Sequence, residues 1–101
     1  MSKVHFLPLG TVVRLEKSQR YLMIIARGLN VKINNEEGVC DYAAVLYPEG
    51  LTGDELYYFN ADVIEEVICQ GAQDELGRKY TEVLEKEYNQ LELNKIETRQ
   101  N

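Results

Sequence analysis

The chain has 101 residues and a mass of 11.6 kDa, which is the size of a single domain. Apolar residues make up 45% of it and charged residues 28%, a composition that suits a globular core and excludes global disorder. No run of apolar residues approaches the about 18–20 needed for a transmembrane helix, and residues 1–10 lack the pattern of a signal peptide. We therefore expect a cytoplasmic domain that does not insert into a membrane.

The charge balance is acidic. The chain has 11 basic and 17 acidic residues, which gives a net charge of −6. Nucleic acids and anionic membranes both attract Lys and Arg, and an acidic surface repels them. Nucleic acid is therefore not expected as a partner. A regulator or nucleic-acid-binding barrel stays as a minor alternative, and its basic patch would be Arg14, Lys17, Arg20, Arg27 and Lys32.

The first seventy residues predict short strands separated by polar turns. The strand-like runs are residues 10–15, 21–26, 31–33, 39–47, 56–59 and about 66–70, with one helical turn at 61–65. Gly28 is expected to end the second run, and residues 34–38 to form a hairpin turn. The predicted fold is α+β, with a small curled antiparallel β-sheet or SH3-like barrel of about five strands and a C-terminal α-helix.

The region after Gly71 predicts an amphipathic helix over residues 72–95, after a β-rich domain at 1–71 and before a frayed tail at 96–101. Its apolar stripe consists of Leu76, Tyr80, Val83, Leu84, Tyr88 and Leu91. Such a stripe can cover the domain's own sheet, bind a partner helix, or pair two copies of the chain. The sequence favours packing within the domain but leaves the other two open.

No residue pattern predicts catalysis, and we expect a protein that is not an enzyme. His5 is the single histidine, and no nucleotide-binding or zinc-protease motif is present. Cys40 and Cys69 stand 29 residues apart, without metal-ligand spacing, in apolar stretches. They are expected to be buried thiols, with a disulfide as the alternative. No metal or cofactor is predicted.

Aromatic residues concentrate in one part of the chain, where Tyr42, Tyr47, Tyr57, Tyr58 and Phe59 fall within 18 residues. Tyrosine is enriched in binding surfaces, although a small core can also be rich in aromatic residues. Adjacent strand residues point to opposite faces, so either Tyr57 or Tyr58 should be buried and the other exposed. The predicted partner-binding residues are Tyr47, Pro48, Glu49, Gly50 and Tyr57, together with the helix stripe.

Several short motifs follow one another in a fixed order. They are Leu7-Pro8-Leu9-Gly10-Thr11-Val12-Val13, Leu22-Met23-Ile24-Ile25 with Arg27-Gly28, Asp41-Tyr42, Tyr47-Pro48-Glu49-Gly50, Tyr58-Phe59-Asn60, and Ile64 with Val67. In these motifs the chain resembles a small family of uncharacterised domains from Gram-positive bacteria. Members of that family are commonly encoded beside LXG-domain toxins of the type VII secretion system. The resemblance covers about residues 6–72.

The resemblance implies a non-enzymatic, cytosolic accessory protein of toxin export. Such an adaptor or targeting chaperone would hold the LXG toxin and bring it to the membrane-anchored secretion ATPase. An immunity protein that binds and neutralises a toxin domain is the alternative, because it would also be encoded at toxin loci.

Overall fold

The fold is a five-stranded antiparallel sheet with one α-helix packed on one face. The computed structural model describes residues 4–90 and residue 96. The strands are β1 (Val12–Leu15), β2 (Tyr21–Ile33), β3 (Glu36–Tyr47), β4 (Tyr57–Phe59) and β5 (Ile64–Cys69), and the helix is α1 (Glu75–Gln90). Their order across the sheet is β4-β3-β2-β1-β5. The α+β prediction is confirmed, and of its two forms the open sheet is found rather than a closed barrel.

Strands β2 and β3 form one long hairpin. Its turn is only two residues long, Asn34 and Asn35, with φ of 53° and 66°. Two positive φ values define the type I′ turn that matches the twist of paired strands, and asparagine tolerates them. The predicted strand end at Gly28 is wrong: this glycine has φ of +61°, yet the pairing with β3 continues on either side of it.

The core lies between one face of the sheet, the helix and the N-terminal segment. It is an apolar cluster formed by Val4, Phe6, Val13, Leu22, Ile24, Val39, Tyr42, Ala44, Phe59, Val63 and Tyr88. Val4 and Phe6 precede the first strand, and each is only 7% exposed. Burying a side chain of this size contributes about 1.5–3 kcal/mol, so the first described residues belong to the core.

Helix α1 begins at Glu75 because Asp74 caps it. The Asp74 carboxylate Oδ1 accepts a hydrogen bond from the backbone N–H of Gly77 at 2.8 Å, which satisfies one of the free donors of the first turn. The helix therefore starts three residues later than predicted. Its described part ends at Gln90, and the predicted continuation from Leu91 to 95 lies outside the described residues.

Residue 96 does not fit the prediction of a frayed tail. Ile96 is 5% exposed, and its backbone N–H donates to the Val39 carbonyl at 3.0 Å. Its own carbonyl accepts a hydrogen bond from the Asn60 side chain at 2.7 Å. The remainder of that predicted tail, residues 97–101, lies outside the described part of the chain.

The two cysteines differ in environment. Cys40 is fully buried in β3, as predicted, whereas Cys69 lies exposed at the end of the edge strand β5. The prediction of burial is therefore wrong for Cys69, because β5 has a neighbour on only one side. No disulfide joins Cys40 to Cys69.

None of the helices in residues 4–90 combines the length and apolarity that crossing a membrane requires.

Candidate functional site

The predicted helix stripe divides into a buried and an exposed part. Tyr88 belongs to the core and Leu84 packs against it. Leu76, Tyr80 and Val83 are 77%, 62% and 56% exposed. We call these three residues the helix seam. Leu91, the last predicted member of the stripe, lies outside the described residues.

Close packing at one glycine explains why the helix lies where it does. A Cβ atom at Gly28 would stand 3.2 Å from Leu84 Cδ1 and 3.4 Å from Tyr88 Cδ1. The absent side chain lets the helix approach β2, and the positive φ of Gly28 is also one that glycine adopts readily. The residue that was predicted to end a strand instead positions the helix.

Hydrogen bonds to the N-terminal segment hold the helix from its other side. The Asn89 side chain accepts from the Val4 N–H at 2.9 Å and donates to the Val4 carbonyl at 3.0 Å. The Glu85 carboxylate accepts from the Phe6 N–H at 2.6 Å. The helix is thus fixed between the sheet and residues 4–6, so its exposed residues have a defined position.

A buried polar network joins the helix to the centre of the sheet. Tyr88 donates its hydroxyl to Asp41 Oδ1 at 2.8 Å, and the Ala61 N–H donates to Asp41 Oδ2 at 2.8 Å. Asp41 is 1% exposed, and its own N–H donates to Asn60 Oδ1 at 2.9 Å. Burial, and secondarily the hydrogen bond to Asp41, raise the pKa of Tyr88 far above its ordinary value. These contacts give Asp41 a role in anchoring α1.

The face of the sheet opposite the helix is apolar and partly exposed: its small residues Val45 and Ala43 are only 3% and 1% exposed, whereas larger side chains around them reach solvent. Cross-strand register pairs Tyr21 with Tyr47 and Met23 with Val45 on this face, and Tyr58 lies beside Ala43. Four large side chains on or beside it are about two-fifths exposed: Tyr21 (41%), Ile25 (39%), Tyr47 (45%) and Tyr58 (40%). We call these four residues and Met23 the open face. An antiparallel sheet with one solvated face usually carries polar residues there, so this composition is unusual.

A shallow groove lies at one side of the open face. It has a volume of about 320 Å³, and its apolar lining includes Ile25, Leu29, Val31, Leu56 and Tyr58. The bulge that separates the pairing of Ile24 from that of Ala26 places Ile25 at this position. The groove is of a size to receive a side chain from a partner protein.

The predicted loop site meets the open face at one residue. Tyr47 belongs to both, and Pro48 and Glu49 follow it as exposed residues, with Glu49 Oε2 3.8 Å from Arg20 Nη2. Gly50 closes the turn, since its N–H donates to the Leu46 carbonyl at 2.7 Å and its φ is +80°. The loop therefore extends the open face at the end of β3.

The structure also decides between the two adjacent tyrosines. Tyr57 packs against the core, and its hydroxyl donates to Glu55 Oε1 at 2.6 Å, whereas Tyr58 is exposed. Tyr57 thus lies on the core side of the sheet, and Tyr58 takes its place on the open face. Tyr21 and Ile25 were not among the predicted site residues, because residues 21–26 form one continuous apolar run, and such a run suits a strand that is buried on both faces. Alternation along β2, combined with the pairing to β3, is the signal that identifies them.

Within residues 4–90 and 96, no three His, Cys, Asp or Glu side chains stand together in a way that could hold a metal ion.

Fold and surfaces together define a small α+β domain with two exposed apolar surfaces. The chain belongs to the family described as Domain of unknown function (DUF4176), which matches residues 6–80. The match begins at Phe6 and includes all five strands and the first six residues of α1, so it extends beyond the resemblance noted at 6–72. Neither a curated protein nor a solved structure matches the chain.

Proposed function

We propose that this protein is a non-enzymatic cytoplasmic adaptor that binds an LXG toxin and delivers it to the membrane-anchored ATPase of a type VII secretion system. The proposal combines the resemblance of its ordered motifs to domains encoded beside such toxins with one structural observation. That observation is the open face, a surface built from exposed tyrosines and aliphatic side chains.

The open face has the chemistry of a protein-binding surface. Contiguous exposed apolar side chains on a small domain mark interaction sites, because water contact with them is unfavourable. Tyrosine supplies a large contact area, at low entropic cost, and a hydroxyl group for hydrogen bonding. Three of the five residues of this face are tyrosines, namely Tyr21, Tyr47 and Tyr58. This supports recognition of another protein.

Binding to a purified LXG toxin tests the proposal. The Tyr21→Ser/Tyr58→Ser double variant of the full chain should weaken binding by about 30-fold or more, because a single aromatic hot spot contributes about 2 kcal/mol. Val67→Ser is a suitable control, because Val67 is similarly exposed (43%) but does not belong to the open face. It lies on the edge strand β5 and is paired with the core residue Val13. It should bind like the wild type.

Full-length point variants are preferable to a fragment that ends at residue 71. Such a fragment would lack Leu84 and Tyr88, which complete the core, so lost binding could reflect unfolding. Circular dichroism should show that both variants keep the wild-type fold. If the double variant binds the toxin as tightly as the wild type, the open face is not the binding surface. If the wild type does not bind the toxin, the adaptor function is refuted.

Mapping the bound part of the toxin separates the two candidate roles. An adaptor for export should bind the LXG region, whereas an immunity protein should bind the toxic C-terminal domain. The net charge of −6 is the observation that favours the second role, because an acidic surface can imitate a polyanionic substrate. Binding confined to the toxic domain would therefore replace the adaptor by an immunity protein.

A further inference from the structure

Residues 4–7 are bound to the rest of the domain in the manner of a peptide ligand. They lie outside the five strands and the helix, and their side chains alternate between buried and more exposed positions. Val4 and Phe6 are each 7% exposed, whereas the His5 side chain between them is 83% exposed. Peptides that bind in extended form are recognised in this way, through pockets for every second side chain.

Two side chains of α1 hold the main chain of this segment. The Asn89 side chain accepts from the Val4 N–H and donates to the Val4 carbonyl, as a neighbouring strand would. One turn earlier in the helix, Glu85 Oε2 accepts from the Phe6 N–H. These bonds reach main-chain groups, which every residue has, so they do not depend on the sequence of the bound segment.

Side chains of the β2–β3 hairpin hold the other end of the segment. Leu7 donates its N–H to the Tyr42 hydroxyl at 2.9 Å, and its carbonyl accepts from Arg27 Nη1 at 3.4 Å. Since these contacts come from side chains, the segment can leave while the strands remain paired and the helix remains hydrogen-bonded.

An aromatic pocket receives the Phe6 ring. The ring centre lies 5.7 Å from that of Tyr42 and 5.2 Å from that of Tyr88, with edge-to-face geometry in both pairs. A Cβ atom at Gly28 would lie 3.6 Å from the end of the ring, so this glycine also makes room for it. Edge-to-face contacts favour an aromatic side chain over an aliphatic one. We call the site the peptide groove; it is formed by Arg27, Gly28, Tyr42, Glu85, Tyr88 and Asn89.

We propose that the peptide groove binds an extended segment of a partner protein, and that residues 4–7 occupy it until that segment displaces them. The partner segment has an aliphatic residue at its first position and an aromatic residue at its third. Proline is excluded at its first, third and fourth positions, because the N–H groups of Val4, Phe6 and Leu7 all donate hydrogen bonds in the groove. Exchange replaces each lost contact by an equivalent one, so the core stays covered.

The turn that follows the segment disfavours a second copy of the chain as the occupant. Thr11 donates both its N–H and its hydroxyl to the Pro8 carbonyl, and the Gly10 N–H donates to the Ile24 carbonyl at 2.8 Å. The chain is therefore fixed directly after residue 7. If two copies exchanged their segments, the fixed turns of both would meet at the end of the same groove. A partner whose chain continues freely beyond the fourth position avoids this overlap.

Removal of the intramolecular anchor tests the inference. Phe6→Ala in the full chain should let the groove bind an added peptide, namely residues 4–9 with an acetylated N-terminus and a C-terminal fluorescein. Fluorescence polarisation should show at least about tenfold tighter binding to this variant than to the wild type, because an occupied site lowers the apparent affinity. Tenfold corresponds to about 1.4 kcal/mol, which is less than the burial of a Phe side chain contributes.

Changes in the peptide test the proposed chemistry. Replacement of its Phe by Ser removes the aromatic anchor, and methylation of the nitrogen of that Phe removes the hydrogen bond to Glu85. Each should weaken binding to the Phe6→Ala variant about tenfold or more. Replacement of its His by Ser is the control and should change the affinity less than about threefold, because the His5 side chain is exposed.

Changes in the helix locate the binding. Asn89→Ala, added to Phe6→Ala, should weaken peptide binding about tenfold, because it removes both hydrogen bonds to the first peptide residue. Gln90→Ala is the matched control, since it removes an exposed amide from the next position of α1. Circular dichroism covers the case in which Phe6→Ala unfolds the chain: the peptide should then restore the folded spectrum, and otherwise it should raise the Tm.

Displacement in the wild type completes the test. An excess of the capped peptide Ile-Ser-Phe-Leu, which differs from residues 4–7 at its first two positions but keeps an aliphatic and an aromatic anchor, should shift the amide NMR signals of Val4, Phe6 and Leu7. The signal of Val67 on the edge strand should stay in place. Unchanged signals, equal binding of the labelled peptide to the wild type and to Phe6→Ala, or no binding to either would overturn the inference. A wild-type dimer that the peptide dissociates would identify a second copy as the occupant and also overturn it.

The inference goes beyond toxin delivery and does not depend on it. The peptide groove lies on the helix side of the sheet, whereas the toxin is proposed to bind the open face. If the wild type does not bind the LXG toxin, the proposed function fails, and the peptide measurements still decide whether the groove is a binding site.

Discussion

Removal of one hydroxyl group tests the buried connection between the helix and the sheet. Tyr88 is 7% exposed, and its hydroxyl donates to Asp41 Oδ1 at 2.8 Å. Tyr88→Phe keeps the ring in the core but leaves the buried carboxylate with one donor fewer. A hydrogen bond to a charged group contributes about 1.5–3 kcal/mol, and a buried acceptor that loses its donor also keeps its desolvation cost. We expect the free energy of unfolding to fall by about 2 kcal/mol.

Urea unfolding followed by circular dichroism measures this loss, and thermal unfolding gives an independent value. For a domain of this size, about 2 kcal/mol corresponds to a decrease in Tm of about 8–16 °C. Tyr80→Phe removes the same hydroxyl from the same helix at a residue that is 62% exposed, so it should change stability by less than about 0.5 kcal/mol. Equal stability of the two variants would refute the structural role of the bond between Tyr88 and Asp41.

Two further predictions concern close packing and pH. Gly71→Ala would place a Cβ atom against the Leu9 carbonyl oxygen and should destabilise the fold by about 1–3 kcal/mol, whereas Gly53→Ala, with nothing within 4 Å, should be nearly neutral in the same urea titration. Burial raises the pKa values of Tyr42 and Tyr88, so their contribution to stability is complete below the unfolded value of about 10 and is lost as pH rises above it. Tyrosinate absorbance should show that these two side chains ionise only when the protein unfolds. Ionisation of all seven tyrosines at about pH 10 in a protein that is still folded would contradict this.

The strands could be predicted from local pattern because their runs are short, apolar and bounded by turn residues. For example, the predicted helical turn and the strand after it are both present, as the turn at 61–63 and strand β5. The prediction failed at Gly28, where local sequence indicates a break but pairing with β3 carries the strand through. Pairing adds hydrogen bonds from residues distant in sequence, and no local pattern contains them.

The candidate site, too, could be predicted only in part from local sequence. Helical spacing identified Leu76, Tyr80, Val83, Leu84 and Tyr88 as one stripe. It could not show which of them the domain covers. That division depends on the close approach at Gly28 and on the hydrogen bonds between Asn89 and Val4, which join the two ends of the described chain. The acidic Asp41 within an apolar run is the feature of the sequence that indicates a buried polar network.

The sequence by itself determined the class of fold, the amphipathic helix and the acidic character, because composition and periodicity are local properties of the chain. Only the tertiary structure decided which apolar residues remain exposed. Strand register placed Tyr21 and Tyr58 on one open face, and docking of the helix buried Leu84 while Val83 stayed exposed. Burial is a property of contacts between distant segments, so the surfaces available to a partner emerge only when the chain has folded.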